Sequence, residues 1–145
     1  MNKIEFFFED LEPIFFQKNI LQSGVKNLID SEISTVGDIS VVFCSDAYLL
    51  DINKQYLAHN YYTDIITFDY VEENVISGDL FISIDRIREN AKEFNVSFIK
   101  ELYRVVFHGI LHLVGYNDKT EEEQHIMTEK ENYYLEKVDF KGMEL

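Results

Sequence analysis

Apolar and polar residues along the first third of the chain follow a pattern that predicts two strands, each followed by a helix. The strands are predicted at residues 3–8 and 40–45, and the helices at residues 11–29 and 47–56. Asp10 is placed to cap the first helix, and Pro13 lies near its first turn, where the missing N–H does little harm. Ser45 is the predicted cap of the second helix.

A β-hairpin is predicted next. Residues 63–70 and 75–83 are rich in β-branched and aromatic side chains, which are typical of strands. The polar residues 72–74 between them provide the turn. Gly78 lies inside the second strand, where a glycine marks a bulge or the close approach of another group to the backbone, here the substrate.

Three helices are predicted after the hairpin, a short one at 85–94, a long one beginning at 98 and a last one through 126–135. Ser97 is the predicted cap of the long helix. Thr120 and Glu123 have the spacing of a capping box before the last helix. The order of elements predicts α/β architecture, with a mixed four-stranded sheet and helices packed on it. We expect residues 1–145 to form a single domain, because no linker, repeat or low-complexity tract interrupts them.

The long helix carries two histidines that predict a metal site. His108 and His112 are four residues apart, so on a helix both rings leave the same face. Gly115 can end the helix in a left-handed turn, after which Asp118 can bring a carboxylate oxygen to the same ion. Three protein ligands leave one tetrahedral position open, as in a catalytic rather than a structural zinc site.

A pair of histidines four apart is more often a packing or surface feature than a metal site. Here the surrounding helix is apolar nearly all round, which predicts that it is buried. Buried imidazoles need partners for their ring nitrogens, and a metal ion supplies one. The pattern therefore favours metal binding.

The residue after the first histidine bears on the chemistry. Zinc proteases of the His-Glu-x-x-His type have a general-base glutamate there, whereas this chain has Gly109. Peptide hydrolysis by that mechanism is therefore disfavoured.

The stretch 107–118 resembles the signature of the YbeY family, metal-dependent endoribonucleases of ribosomal RNA maturation, whose pattern is His-Gly-x-Leu-His-Leu-x-Gly-Tyr-Asp-His. The matching residues are His108, Gly109, Leu111, His112, Leu113, Gly115 and Tyr116. Asn117 and Asp118 stand in place of the closing Asp-His, although a carboxylate is also a competent zinc ligand. The resemblance implies one zinc ion per chain, a cytoplasmic location and a ribosomal RNA precursor as substrate. It also implies small-subunit ribosomal proteins or an assembly GTPase as possible partners, and no DNA substrate.

The resemblance extends upstream and provides two candidate catalytic residues. Thr63, Asp64, Phe68, Gly78 and Asp79 match the family's Thr-Asp-Val-Leu-Ser-Phe and Gly-Asp-Ile stretches. Asp64 and Asp79 are candidates for orienting water or a second ion, although such acids more often cap turns or face solvent.

The family's Asn-x-x-Tyr-Arg pattern aligns with residues 53–57, so Leu57 takes the place of its arginine. Arg104 lies one turn before His108 on the same helical face and is a candidate to replace that arginine in holding a phosphate. The alternative is that Arg104 pairs with a carboxylate.

Composition limits the possible partners. The net charge of −14 opposes RNA binding at long range. The stretch 83–104 holds five of the thirteen basic residues, which are either a local RNA patch or ordinary solvated helix faces. We expect weak, salt-sensitive binding to free RNA. The lone Cys44 suits core packing in a reducing compartment, and neither a signal peptide nor a membrane span is evident.

Two alternative functions remain open from the sequence. One is a metallohydrolase that acts on another substrate, such as a peptide, because the ligand spacing alone does not specify RNA. The other is a ribosome-assembly factor whose metal only holds structure. His59 and His125 lack ligand spacing to the main pair and are predicted not to be ligands.

Overall fold

The described residues, 2–57 and 63–143 of a computed structural model, contain four strands and five helices. In chain order they are β1 (Ile4–Glu9), α1 (Lys18–Ser31), β2 (Thr35–Cys44), α2 (Asp46–Leu57), β3 (Ile65–Asp69), β4 (Val75–Ser83), α3 (Ile84–Phe94), α4 (Phe98–Val114) and α5 (Glu121–Leu135). The predicted α/β class and mixed four-stranded sheet are confirmed.

The strands form one sheet in the order β1-β2-β4-β3. β1, β2 and β4 are parallel, whereas β3 runs antiparallel to β4 and lies at the edge of the sheet. The predicted hairpin is therefore present, and β4 has the bounds that the sequence predicted. The pairing of Glu72 with Val75 closes the turn between the two strands.

α4 runs through the main hydrophobic core and contacts β3 and β4, with α1, α3 and α5 around it. Gly109 is the point of closest approach to the sheet, because a Cβ there would lie 2.4 Å from Leu80 Cδ2 and 2.7 Å from Ile65 Cδ1. A larger residue would push the helix away from the strands. The glycine after the first histidine is thus required by packing, which explains why no general base occupies that position.

α2 covers the opposite face of the sheet. Leu49 and Ile52 of this helix form a second cluster with Cys44 and Ile66. Cys44 is fully buried, as the apolar run around it predicts. Because strand residues alternate between faces, α2 and α4 lie on opposite sides of the sheet.

The predicted start of the first helix is wrong. α1 begins at Lys18 with Gln17 as its N-cap, not at residue 11. Asp10 has a positive φ of 59° and accepts a hydrogen bond from the Ser45 hydroxyl, so it caps nothing in α1. Residues 11–16 are non-helical because Phe16 packs its ring edge-on against those of Phe6 and Phe43, with centroids 5.3 and 5.5 Å away.

The second strand is longer than predicted. β2 begins at Thr35 rather than residue 40, and its register with β4 shifts between Val36 and Ile39. Gly37 lies in this bulge, where a Cβ would be only 2.1 Å from Ser77 Oγ. Gly37 therefore lies at an irregularity inside the strand.

Two smaller differences concern the hairpin. β3 is shorter than the predicted stretch, spanning Ile65–Asp69. Gly78 does mark a close approach, but its nearest groups are the Phe68 carbonyl and the Leu113 side chain rather than an open surface for substrate.

The other three predicted helix caps are confirmed. Ser45 Oγ accepts from the Tyr48 N–H at 3.1 Å, and Ser97 Oγ from the Lys100 N–H at 3.2 Å. The capping box of Thr120 and Glu123 is formed in both directions. Within the described ranges, no helix is both long and apolar enough to cross a membrane.

Candidate metal centre

The C-terminal half of α4 brings the two predicted histidines together with the predicted aspartate. His108 and His112 lie one turn apart, and their Nε2 atoms are 3.1 Å from each other. Gly115 ends the helix with a φ of 123°, so the chain can fold back. Asp118 Oδ2 then lies 3.3 Å from His108 Nε2 and 3.4 Å from His112 Nε2.

The hydrogen bond made by Nδ1 of each histidine determines that the other ring nitrogen, Nε2, carries the free lone pair. His108 Nδ1 lies 2.6 Å from Glu131 Oε2, and His112 Nδ1 lies 2.9 Å from the Tyr116 carbonyl oxygen. Because a carboxylate and a carbonyl only accept hydrogen bonds, both rings donate from Nδ1. Neutral rings therefore direct unprotonated Nε2 lone pairs toward Asp118.

Three electron-rich atoms thus converge with no donor of their own, an arrangement that a cation stabilises. In a tetrahedral metal site, nitrogen and oxygen ligands about 2.0–2.1 Å from the ion lie roughly 3.3–3.4 Å from one another. The three observed separations, 3.1 to 3.4 Å, match that triangle. His108, His112 and Asp118 therefore form a group that could hold a metal ion.

The electrostatic environment also favours positive charge at this point. Burial alone would lower the pKa of His108, but the hydrogen bond and charge of Glu131 outweigh it. The charges of Asp118 and Asp64 act in the same direction, so the pKa of His108 is raised. A cation bound here would meet the same negative surroundings.

The loop that carries Asp118 is held by a carboxylate from the other end of the chain. Glu32, just after α1, accepts hydrogen bonds from the Tyr116 hydroxyl at 2.6 Å and from the Tyr134 hydroxyl. Lys130 Nζ is 3.1 Å from the same carboxylate. Although burial opposes ionisation, these donors lower the pKa of Glu32. The carboxylate thereby fixes Tyr116, whose carbonyl holds His112.

The three residues lie in the wall of a cleft of about 340 Å³ at the β3 edge of the sheet. α2 forms the opposite wall with Asn53 and Leu57, and residues 63–67 form the floor. Asp64, one of the predicted catalytic candidates, belongs to that floor. Leu57 lies in the cleft at the position where the resemblance implies an arginine.

Comparison with known proteins agrees with the resemblance found in the sequence. A family model described as Endoribonuclease YbeY matches residues 10–139. The chain belongs to this family. The YbeY endoribonuclease of Parabacteroides distasonis is 49% identical over 132 residues, 91% of this chain and 93% of that protein. The YbeY endoribonuclease of Bacteroides thetaiotaomicron is 54% identical over 111 residues, 77% of this chain and 81% of that protein.

A solved structure shares the fold. The solution structure of TM1509 from Thermotoga maritima has a TM-score of 0.67 and 31% sequence identity, covering 94% of this chain and 89% of that chain. The prediction of YbeY family membership is thus confirmed, and with it the prediction that the chain is an enzyme.

Neither of the other two catalytic candidates, Asp79 and Arg104, lines the cleft. Asp79 follows Gly78 and precedes Leu80, both of which face α4, so its side chain is on the opposite face of the sheet. Arg104 faces α5, where its Nη1 is 3.0 Å from Glu131 Oε1 and its Nη2 is 2.9 Å from Asn132 Oδ1. Arg104 is therefore paired with a carboxylate in this structure.

Glu131 was missed by the sequence reasoning. It is only 7% exposed and lies directly behind His108. One signal could have found it, since Glu131 shares the i, i+4, i+7 and i+8 spacing of the buried residues Met127, Tyr134 and Leu135. A charged residue on the apolar face of a helix needs a buried partner. His125 lies on the exposed face of α5 beside Glu129, and His59 falls outside the described residues.

Proposed function

We propose that this protein is a zinc-dependent endoribonuclease that cleaves single-stranded segments of ribosomal RNA precursors in the cytoplasm, as a single domain with one zinc ion per chain. The observation that carries the proposal is the convergence of three lone-pair atoms in an open cleft, in a chain whose relatives are named endoribonucleases.

The donor set favours zinc. Two imidazole nitrogens and one carboxylate oxygen suit Zn²⁺, which binds both ligand types in a tetrahedral arrangement. His108, His112 and Asp118 would hold the ion. When bound, zinc lowers the pKa of a coordinated water molecule toward neutrality and polarises a phosphoryl oxygen.

Asp64 is the proposed proton acceptor of the cleft. It lies in the floor beside the three ligands, and its charge contributes to the raised pKa of His108. Asn90 Nδ2 lies 3.5 Å from its Oδ2 and helps to orient it. Asp64 would take the proton from an attacking water or from the ribose 2′-hydroxyl. Asp79 and Arg104 have no place at the reacting atoms in this proposal.

The negative charge of the chain shapes how it would meet RNA. A net charge of −14 repels phosphate, so affinity must come from the metal ion, from local basic residues or from a partner that delivers the substrate. Small-subunit ribosomal proteins or an assembly GTPase would serve as such partners. A cleft of about 340 Å³ admits a nucleotide of a single strand rather than a duplex.

Peptide hydrolysis is the weaker candidate. The position of the protease general base is Gly109, and Leu80 and Ile65 leave no room for a side chain there. Of the residues that the structure describes in the cleft wall, Asp64 is the carboxylate outside the ligand triad.

The proposal is tested by metal content and RNA cleavage measured on the same preparations. Wild type, His112→Ala and His125→Ala are compared, His125 being an exposed histidine outside the cleft. We expect one zinc ion and cleavage of a single-stranded ribosomal RNA fragment in wild type and His125→Ala. His112→Ala should lose both, and a chelator should abolish cleavage until zinc is restored.

Two results would contradict the proposal. Equal zinc content in wild type and His112→Ala would mean that the metal lies elsewhere. Zinc in the wild type without turnover of single-stranded RNA would indicate a structural metal, the role of an assembly factor.

A further inference from the structure

We infer that Glu131, anchored by Arg104, is a positioning residue that fixes the orientation and tautomer of His108 and thereby strengthens metal binding. The inference rests on the proposed metal site. It concerns a residue of α5 that makes no contact with the ligand group except through His108 Nδ1.

The geometry around Glu131 is that of a buried acceptor between two donors. Its Oε2 lies 2.6 Å from His108 Nδ1, and its Oε1 accepts from Arg104 Nη1 at 3.0 Å. A carboxylate that is only 7% exposed is unfavourable unless it is paired and hydrogen-bonded. Both oxygens meet that condition through contacts with α4.

The two contacts require a carboxylate at this position. Both the Arg104 guanidinium and the His108 Nδ1–H donate, so the group between them must accept on both sides. A glutamine of the same shape offers one acceptor and one NH₂ donor. Its NH₂ group would face either the guanidinium or the ring N–H, and one of the two hydrogen bonds would be lost.

Arg104 keeps Glu131 from turning away. Its second nitrogen, Nη2, donates to Asn132 Oδ1 at 2.9 Å, so the planar guanidinium is held at two neighbouring residues of α5. The chain of contacts Asn132–Arg104–Glu131–His108 locks α5 onto the metal-binding face of α4. His112 depends on a different partner, the Tyr116 carbonyl, and serves as an internal comparison.

A negative acceptor on the outer nitrogen has a known effect on metal binding. It holds the ring in one orientation and makes the opposite nitrogen a stronger ligand, and loss of such a partner weakens metal affinity by about 10- to 100-fold. Glu131 therefore contributes to affinity without touching the ion.

The test compares zinc dissociation constants of wild type, Glu131→Gln and Glu101→Gln, measured by competition with a chromophoric chelator. Glu101 is a matched control, because it is also buried and also lies near Arg104, at 3.8 Å, but it is not a hydrogen-bond partner of His108 in the described structure. We expect Glu131→Gln to bind zinc about 10- to 100-fold more weakly and Glu101→Gln to stay close to wild type. Should Glu131→Gln fail to fold, Arg104→Gln should show a smaller loss in the same direction.

A second readout needs no metal. Nitrogen NMR of the imidazole rings in the zinc-free proteins should show the Nδ1–H form of His108 in wild type and a mixture of tautomers in Glu131→Gln. The His112 signals should not change. Wild-type zinc affinity and an unchanged His108 tautomer in Glu131→Gln would overturn the inference. Failure of wild type to bind zinc would instead refute the proposed function, and the NMR comparison would still decide the role of Glu131 toward His108.

Discussion

At the residue scale, the buried and half-buried carboxylates of this protein differ in how well they are paired. Glu32 accepts hydrogen bonds from two tyrosines and lies beside Lys130, and its pKa is lowered although burial opposes ionisation. Glu101 is 3% exposed, and its Oε1 has no hydrogen-bond partner in the described structure. Burial raises the pKa of Glu101 to about 7, which the nearby Arg104 only partly offsets. Glu101 is thus the carboxylate whose ionisation destabilises the fold.

The substitution Glu101→Gln should stabilise the protein in a pH-dependent way. In wild type, the unfolded chain loses this proton near pH 4.5 while the folded protein keeps it to about pH 7, so stability falls across that window and stays reduced above it. Glutamine removes this loss. We expect the variant to be about 1–3 kcal/mol more stable than wild type at pH 8 and nearly equal at pH 4.

Urea denaturation of the two zinc-free proteins at several pH values measures this difference. Zinc is removed so that metal binding does not add its own pH dependence. A stability difference that is the same at pH 4 and pH 8 would show that ionisation of Glu101 is not its cause.

At the scale of elements, local sequence signals predicted the ends of α4 well and the start of α1 badly. α4 begins after Ser97 and ends at Gly115, both of which act through contacts within a few residues. α1 starts late because Phe16 packs on Phe6 and Phe43, residues that are distant in sequence. Signals that operate within one turn can be read from sequence, whereas a packing preference across the sheet cannot.

Gly109 provides a test of how α4 is seated on the sheet. The change Gly109→Val would bring its new carbons into Leu80 and Ile65, where even a Cβ lies within 2.7 Å of both side chains. We expect a loss of about 3 kcal/mol of unfolding free energy from overpacking.

The control for this prediction is Lys100→Val on the exposed face of the same helix, which measures the helix-propensity effect of a β-branched residue. Chemical denaturation compares the two variants. A loss no greater than that of Lys100→Val would mean that the contact between Gly109 and the sheet has little energetic weight.

At the scale of the whole molecule, the ligands were predictable and the groups that hold them were not. The three ligands, His108, His112 and Asp118, lie within eleven residues, so helix spacing and one glycine turn were enough to predict that they are close together. Their supports come from far along the chain, Glu131 from α5 and Glu32 from the segment between α1 and β2. Only the three-dimensional packing of these elements places the two carboxylates behind the site.

This arrangement predicts that zinc stabilises the whole fold rather than a local loop. The ion would join α4 to the segment that carries Asp118. Glu131 in turn connects α4 to α5 through His108, and Glu32 connects that segment to the end of α1 through Tyr116. A ligand that binds only the folded state at 100 times its dissociation constant adds about 2.7 kcal/mol. For a chain of this length that corresponds to a rise of roughly 5–10 °C in Tm.

Thermal unfolding with zinc and with a chelator measures the effect in wild type and in His112→Ala. The rise in Tm should be present in wild type and absent in the variant, because His108 and Asp118 alone supply only two of the three ligands. His125→Ala keeps the triad and should retain the full rise. An equal rise in His112→Ala would mean that zinc stabilises the fold from another site, and the link between the metal and the packing of α4 against α5 would be lost.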